Sequence, residues 1–281
     1  MDADQQVKKS KSDTAGIPGG LSAVIIAKDE EKNLPAALES LKGIADDIIV
    51  VVDDRTKDRT AEIARAAGAR AVLRRFDGFG TQKQAALDLA TKEWVLSLDA
   101  DERVDPALAS EIVEKLARAP QDSGPSGFDV PRRVIFLGRE MRHGGLGREK
   151  MLRLFRRSRG RFDGASIHER VAVDGAVEKL AHPIAHETYA SISDYLRKME
   201  SYSTLEARKK FDRGRRFHWW QHALPAWEFL RRWLLKGGFL DGREGYVWAR
   251  LSAFHYWVKC LKLRELELQR DRALPGRPGL R

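Results

Sequence analysis

The sequence predicts an α/β protein, a mostly parallel sheet flanked by helices with a C-terminal helical extension. Three observations carry this. Short apolar runs alternate with segments of helical period four times between residues 21 and 118. The runs are apolar almost throughout rather than at every second residue, as expected of strands covered on both faces. From about Ser191 onward the pattern turns helical and stays so.

The elements follow in order. Residues 1–20 hold no apolar h-region, so they read as a disordered tail ending in a Gly/Pro hinge and not as a secretory signal. "LSAVIIA" is the first strand, and Leu34, Ala37, Leu38 and Leu41 recur at helical spacing behind it. "DIIVVVDD" is the second strand; "DRTAEIARAAGA" is a helix with Gly68 as its C-terminal stop. "RAVLRR", the helix "TQKQAALDLATK" and the strand "EWVLSLD" complete the alternation, and Asp105-Pro106 opens a further helix as N-cap and first-turn proline. "APQDSGPSG" is a turn-rich break. Beyond it, "GFDVPRRVIFLG", "MLRLFRR" and "IHERVAVDG" read as shorter strands of mixed polarity. The expected organisation is a tail over 1–20, a sheet domain over 21–190 and an amphipathic helical extension over 191–281. Six of the seven tryptophans lie in that extension, interleaved with Arg and Lys.

A formal net charge of +10 over 281 residues favours an anionic partner: a phosphorylated substrate, nucleic acid or an acidic membrane face. The single Cys260 excludes an internal disulfide and is compatible with a reducing compartment. No run of roughly 18 apolar residues occurs, so no spanning helix is expected.

In parallel sheets of this kind ligands sit beyond the carboxyl ends of the strands. Two acidic pairs fall there. Asp99 and Asp101 are two apart, so in extended chain their side chains point the same way and repel unless a cation or hydroxyl groups stand between them. A hard divalent ion, Mg²⁺ or Mn²⁺, held by carboxylates and phosphate oxygens suits the pair; a solvated turn capping the next helix is the alternative. Asp53 and Asp54 end the second strand, where a carboxylate accepts hydrogen bonds from a base N–H or a ribose hydroxyl, or caps the following helix, the role assigned to Asp58. There is no G-x-G-x-x-G after the first strand and no G-x-x-x-x-G-K-[ST], which argues against dinucleotide and P-loop readings.

In their order, "VIIAKDEEKNL", "IIVVVDDRTKDRT", "FDGFGTQKQAAL" and "WVLSLDADERV" resemble the successive blocks of family 2 glycosyltransferases with the Rossmann-like GT-A fold. "PRRVIFLGREMRHGG", "MLRLFRR", "IHERV" and "LLKGGFLDGREG" resemble its lipopolysaccharide-core branch, which includes β-1,4-glucosyltransferases. The resemblance implies a nucleotide-sugar site: Asp53 on the nucleoside, Ala27 and Glu30 lining the same pocket, Lys83 on the nucleotide, Asp99 on the ribose or sugar and Asp101 on a divalent cation, Mg²⁺ or Mn²⁺. It implies an inverting single displacement, which needs one base; Glu169 is assigned that role, with His168 beside it for metal or phosphate contact. "VDDRTKD" departs from the branch's common "VDSGSTD", so Arg55 and Lys57 add positive charge beside the donor.

Between residues 132 and 161 stand ten arginines and one lysine against Glu140 and Glu149, a solvated basic face or a site for a phosphorylated acceptor. Arg142, His143, Gly144 and Gly145 then form an acceptor-side loop whose glycines permit close backbone approach. His182 and His186, with Pro183 between them, read as ordinary strand histidines. The extension's tryptophans can bury against the rest of the chain or lie in a headgroup layer.

The expected function is metal-dependent transfer of a sugar, glucose foremost, from a UDP-sugar (UDP-glucose) to a lipopolysaccharide-core or related saccharide or glycolipid acceptor. The expected location is the inner face of the cytoplasmic membrane, on an anionic surface and without nucleic acid. A sugar nucleotidyltransferase is the rival enzyme, although its Gly-rich, Arg-containing loop is missing after the first strand. A non-enzymatic basic module that binds membrane or nucleic acid is the other rival; it would explain the charge but not the two acidic pairs.

Overall fold

The chain was examined as a computed structural model, which describes residues 16–120, 124–146, 150–163, 171–189 and 191–273. His168 and Glu169 lie outside the described residues.

Four strands run parallel at the centre of the first half. β1 (Leu21–Ala27) lies between β2 (Asp47–Asp53) and β4 (Trp94–Asp99), and β2 pairs in turn with β3 (Arg70–Arg74). Their side chains divide between two faces with period two. Leu21, Ala23 and Ile25 of β1 join Val50 and Val52 of β2 on one face; Val24, Ile49, Val51 and Val95 occupy the other. Helices cover both. α1 (Leu34–Glu39) and α4 (Pro106–Ala117) close the first face with Leu34, Leu38, Leu108, Ile112 and Leu116. α3 (Phe79–Leu89) closes the second with Ala86 and Leu87. Each fully buried aliphatic side chain contributes about 1.5–3 kcal/mol to holding these layers together. α2 (Thr60–Ala66) ends where Gly68 takes a φ of 81°, the expected stop. The Asp105 carboxylate accepts the Leu108 N–H at 3.0 Å, the expected cap of α4.

The remaining strands range from two to ten residues: β5 (Glu102–Arg103), β6 (Gly127–Phe136), β7 (Arg139–Met141), β8 (Lys150–Arg156), β9 (Gly160–Phe162), β10 (Val171–Val173), β11 (Val177–Lys179) and β12 (Ile184–Tyr189). The main sheet runs in the order β3-β2-β1-β4-β8-β6-β12-β5. It is parallel through β4 and antiparallel where β8 meets β4 and β6. The α/β class, the sheet between helices and the C-terminal helical extension are those expected; the sheet is mixed and not mostly parallel, because β8, β6 and β12 add antiparallel pairings beyond β4. The structured chain is already packed at Ile17, ahead of the first strand: Ile17 is buried in the core, and its carbonyl accepts the Gly20 N–H.

By its internal contacts the chain forms two compact units, Met1–Arg133 with Arg148–His186, and Val134–Gly147 with Glu187–Arg281. In the second, α5 (Ile192–Asp212) starts at Ser191, whose side chain accepts the Asp194 N–H, and buries Tyr195, Met199, Ser203 and Ala207 at spacings of four. α7 (Gly242–Ala273) runs along α5. Phe136, Met141, Tyr195, Met199 and Trp248 form the core of this unit. Between α5 and α7 the chain is not one helix. A 3₁₀ turn (Trp219–Ala223) leads into α6 (Leu224–Leu230), a π turn (Arg231–Leu235) and a second 3₁₀ turn (Gly238–Asp241). Pro225 suits only the first turn of a helix, and Gly237 at φ 65° ends one, so the two residues divide the segment.

Candidate active site

In the first unit the carboxyl ends of β1, β2 and β4 come level. Ala27 is opposite Val52, and Ile26 is opposite Asp99. Strand order reverses here, because β2 and β3 extend to one side of β1 and β4 lies on the other. Crevices at such reversals are where open α/β sheets bind ligands. Ala27, Asp53 and Asp99 therefore share one edge of the sheet.

Asp99 is gripped by two cations. Lys83, on the inner face of α3 and only 4% exposed, places Nζ 2.8 Å from Oδ1. Arg153 of β8, equally buried, places Nη2 2.6 Å from Oδ2. The same Nη2 is 2.8 Å from Glu102 Oε1, and the Asp99 N–H donates to Glu102 Oε2 at 2.9 Å. Burial alone would raise Asp99, but Arg153 and Lys83 outweigh it and hold the carboxyl well below the usual range. Burial raises Glu102, and the charge on Asp99 adds to the rise against the pull of Arg153. Asp99 keeps 31% of its side chain open to solvent, so it is an ionised acceptor at the mouth of a buried Lys–Arg pair.

Asp101 has a different partner. His186 Nε2 of β12 is 3.3 Å from Asp101 Oδ1, with both side chains nearly buried. The antiparallel pairing of β12 with β5, His186 opposite Glu102, brings them together. His186 is thus more than the ordinary strand histidine expected, and its contact was not visible in the sequence because β5 is two residues long. His182 lies outside β12 and bonds Glu111 instead, Nδ1 to Oε2 at 2.8 Å. The Asp101 carboxylate is an oxygen donor of the kind Mg²⁺ and Mn²⁺ take, and the imidazole nitrogen beside it fits Mn²⁺ better than Mg²⁺. Among the described residues no group of three or more His, Cys, Asp or Glu is placed to hold a metal.

Asp53 is buried and taken up by the residue in which this chain departs from its branch. Arg55 Nε and Nη2 reach Asp53 Oδ1 and Oδ2 at 3.0 and 2.8 Å, and the Arg55 N–H donates to Oδ1. The Arg55 side-chain hydrogen bonds lower Asp53 to about 2. A carboxylate depressed below its ordinary 3.8 stabilises the fold above that pH and loses the contribution as pH falls toward 2. Arg55 is half exposed, so solvent screening keeps the contribution small. Arg55→Ser should return Asp53 toward the ordinary range, read by carboxyl NMR titration. It should also flatten acid unfolding between pH 4 and 2; an unchanged Asp53 titration would show that Arg55 does not set it.

The loops after β1 and β2 are joined. Asp29, at φ 54°, accepts the Lys57 N–H at 2.8 Å; Asp58 accepts the Glu31 N–H at 2.9 Å and the Thr60 N–H at 3.0 Å. Glu30 donates its N–H to Thr60 Oγ1 and accepts from Asn33 Nδ2. Asp58 thus caps the start of α2 and also ties the two loops.

In the second unit, Arg142, His143, Gly144 and Gly145 are anchored by a residue the sequence reading did not single out. Asp241, buried, accepts the Arg142 and His143 N–H groups at 3.2 and 2.8 Å and faces His143 Nδ1 at 3.0 Å. Gly144 donates its N–H to the Lys236 carbonyl, and Arg232 donates to the Gly144 carbonyl. A Cβ on Gly145 would lie 2.9 Å from Lys236 Nζ, at a φ of 88° that side chains rarely adopt, so this glycine is required. The only hint of Asp241 in the sequence was its place inside "GGFLDGREG".

The sequence model of Glycosyl transferase family 2 matches residues 22–173. The chain belongs to that family and is a glycosyltransferase of GT-A type. It is 30% identical over 268 residues to the lipopolysaccharide core biosynthesis glycosyltransferase LpsC of Rhizobium meliloti, covering 92% of this chain and 96% of the relative. It is 29% identical to an uncharacterized glycosyltransferase of Rickettsia typhi, covering 89% and 88%. Among solved structures, glucosyl-3-phosphoglycerate synthase from Mycobacterium tuberculosis, in complex with Mn²⁺, UDP and glucosyl-3-phosphoglycerate, aligns with a TM-score of 0.43 at 16% identity, over 67% of this chain and 78% of that one.

Proposed function

We propose that the protein is an inverting, divalent-cation-dependent hexosyltransferase that moves glucose from UDP-glucose to a lipopolysaccharide-core or related envelope acceptor at the inner face of the cytoplasmic membrane. One observation carries the reading: Asp99 between Lys83 and Arg153, with Asp101 against His186, at the strand ends where the sheet order reverses. Similarity to LpsC supports the acceptor class. The joined loops carrying Ala27, Glu30 and Asp53 line the nucleoside side, with Arg55 free to turn from Asp53 toward added negative charge. Asp101 and His186 would hold the cation, the role the sequence also assigns to His168; when bound, the cation would neutralise charge on the departing nucleoside diphosphate. Lys83 and Arg153 keep Asp99 ionised, so that it accepts hydrogen bonds from ribose or sugar hydroxyls. Glu169, by resemblance, takes the proton of the acceptor hydroxyl. Arg142 and His143 meet the acceptor from a loop fixed by Asp241.

The test is thermal unfolding against a panel of nucleotide-sugars with and without Mn²⁺. UDP-glucose with Mn²⁺ should raise the midpoint by several degrees, about 2.7 kcal/mol at a hundredfold excess over Kd, and other nucleotides should not. Equal stabilisation by a nucleoside triphosphate with a sugar phosphate would favour a nucleotidyltransferase. No response to any nucleotide would end the reading.

A further inference from the structure

The second unit sorts its aromatic residues sharply. Trp248 is buried against Phe136 and Tyr195. The segment between α5 and α7 does the opposite. Trp219 is 82% exposed and Leu235 70%, and Trp220, Trp227, Leu230, Leu234, Phe239 and Leu240 also stand on the surface. Trp227, Leu230 and Leu234 recur at i, i+3 and i+7, so they share one side of α6 and its π continuation. Glu228 and Arg232 lie on the other side and Arg231 at its margin; the Glu228 carboxylate accepts from both arginines, and Arg232 reaches the Gly144 carbonyl. Scattered apolar side chains on a surface need no explanation, but a concentration of this kind marks an interaction site.

Charge identifies the partner. Residues 213–250 contain eight Arg or Lys and three Asp or Glu. Glu228 and Asp241 are buried, and Glu244 is paired with Arg139. Arg213, Arg215, Arg216, Lys236, Arg243 and Arg250 are exposed. The solvent-facing charge around the apolar patch is therefore positive. Two copies of such a surface repel when placed face to face, whereas tryptophan with a basic surround matches an anionic headgroup layer. No helix among the described residues is long and apolar enough to cross a membrane.

We infer that residues 219–240 form a docking surface that lies in the plane of an anionic lipid bilayer, with Trp219, Trp227 and Leu235 entering the headgroup layer. This deepens the proposed function and rests on it only for the purpose of the docking. The candidate acceptor loop is seated on the same segment, Gly144 on the Lys236 carbonyl and Arg232 on the Gly144 carbonyl, so the residues assigned to the acceptor accompany the docking surface to the lipid.

The test uses the full chain and flotation with vesicles of phosphatidylcholine alone or mixed with phosphatidylglycerol. The chain should bind the mixed vesicles at least about tenfold more tightly, with the difference shrinking as salt rises. Trp219→Ser/Trp227→Ser/Leu235→Ser should weaken binding about 100-fold, with the thermal midpoint and the UDP-induced shift retained. If that variant is not soluble, Trp219→Phe/Trp227→Phe keeps the apolar bulk and supplies a second reading. It should still bind, but lose most of the fluorescence quenching that a brominated phospholipid produces in the parent chain. Absence of vesicle binding by the parent chain overturns the inference. So does equal binding by the triple variant, or a dimer in sedimentation that the same substitutions abolish without any effect on vesicles. Vesicle binding without sugar transfer to a detergent-solubilised acceptor removes the proposed function and leaves the docking surface; transfer without vesicle binding does the reverse.

Discussion

Asp101→Ala should lower kcat/KM for sugar transfer by about 10²–10³-fold, the size expected when one charge-stabilising element of a transition state is lost. On the proposed reading Asp101 supplies the carboxylate of the cation site, with His186 beside it. The loss should fall mainly on kcat, because charge builds on the leaving diphosphate as the bond breaks. UDP alone should still bind; the additional stabilisation that Mn²⁺ gives the UDP complex should disappear. His186→Ala should follow in the same direction with a smaller loss, about 10–100-fold. Both side chains are nearly buried, so each variant leaves a buried polar partner and should lower the unfolding midpoint by a few degrees while staying folded at the assay temperature. Parent-level transfer by Asp101→Ala across a Mn²⁺ titration would remove the cation role from this residue.

Arg153→Met should cost about 3–5 kcal/mol of stability, the largest single loss expected in the first unit. Arg153 touches both Asp99 and Glu102, and Glu102 is almost wholly buried. Without it the buried Glu102 carboxylate loses this counter-charge, and Asp99 keeps Lys83. The methionine keeps the stem's apolar packing, so the loss reports the charge and not a cavity. Urea unfolding should show the midpoint move with an unchanged slope. Arg153→Lys keeps a point charge but cannot span both carboxylates with the same geometry, and should lose less. A cost under about 1 kcal/mol for Arg153→Met would mean that Glu102 is neutral in the folded chain and needs no counter-charge.

The parts of this site that were legible in the sequence are those fixed by strand chemistry. Apolar runs ending in Asp53 and Asp99 placed these carboxylates at the sheet edge, because the period of a strand and the parallel order leave few alternatives. Lys83 was reached through its block and not through any pattern of its own. Its burial depends on which face α3 turns to the sheet. The expectation that Asp99 and Asp101 face one another across a shared ion did not anticipate that each carries its own protein partner. The cause is long range: Arg153 lies 54 residues from Asp99 along the chain, on a strand antiparallel to β4. Asp241 and His143 are 98 residues apart and meet through a glycine-bounded turn, a contact that neither local propensity nor hydrophobic period encodes. The division of the tryptophans was hidden for a related reason. Pro225 and Gly237 divide 219–241 into short turns, so no single helical period runs through its apolar residues.

The cross-strapping of the first two loops by Asp29 and Asp58 has an evolutionary corollary. Neither loop can gain or lose a residue without misaligning the other's amides, so insertions into this scaffold have to accumulate elsewhere.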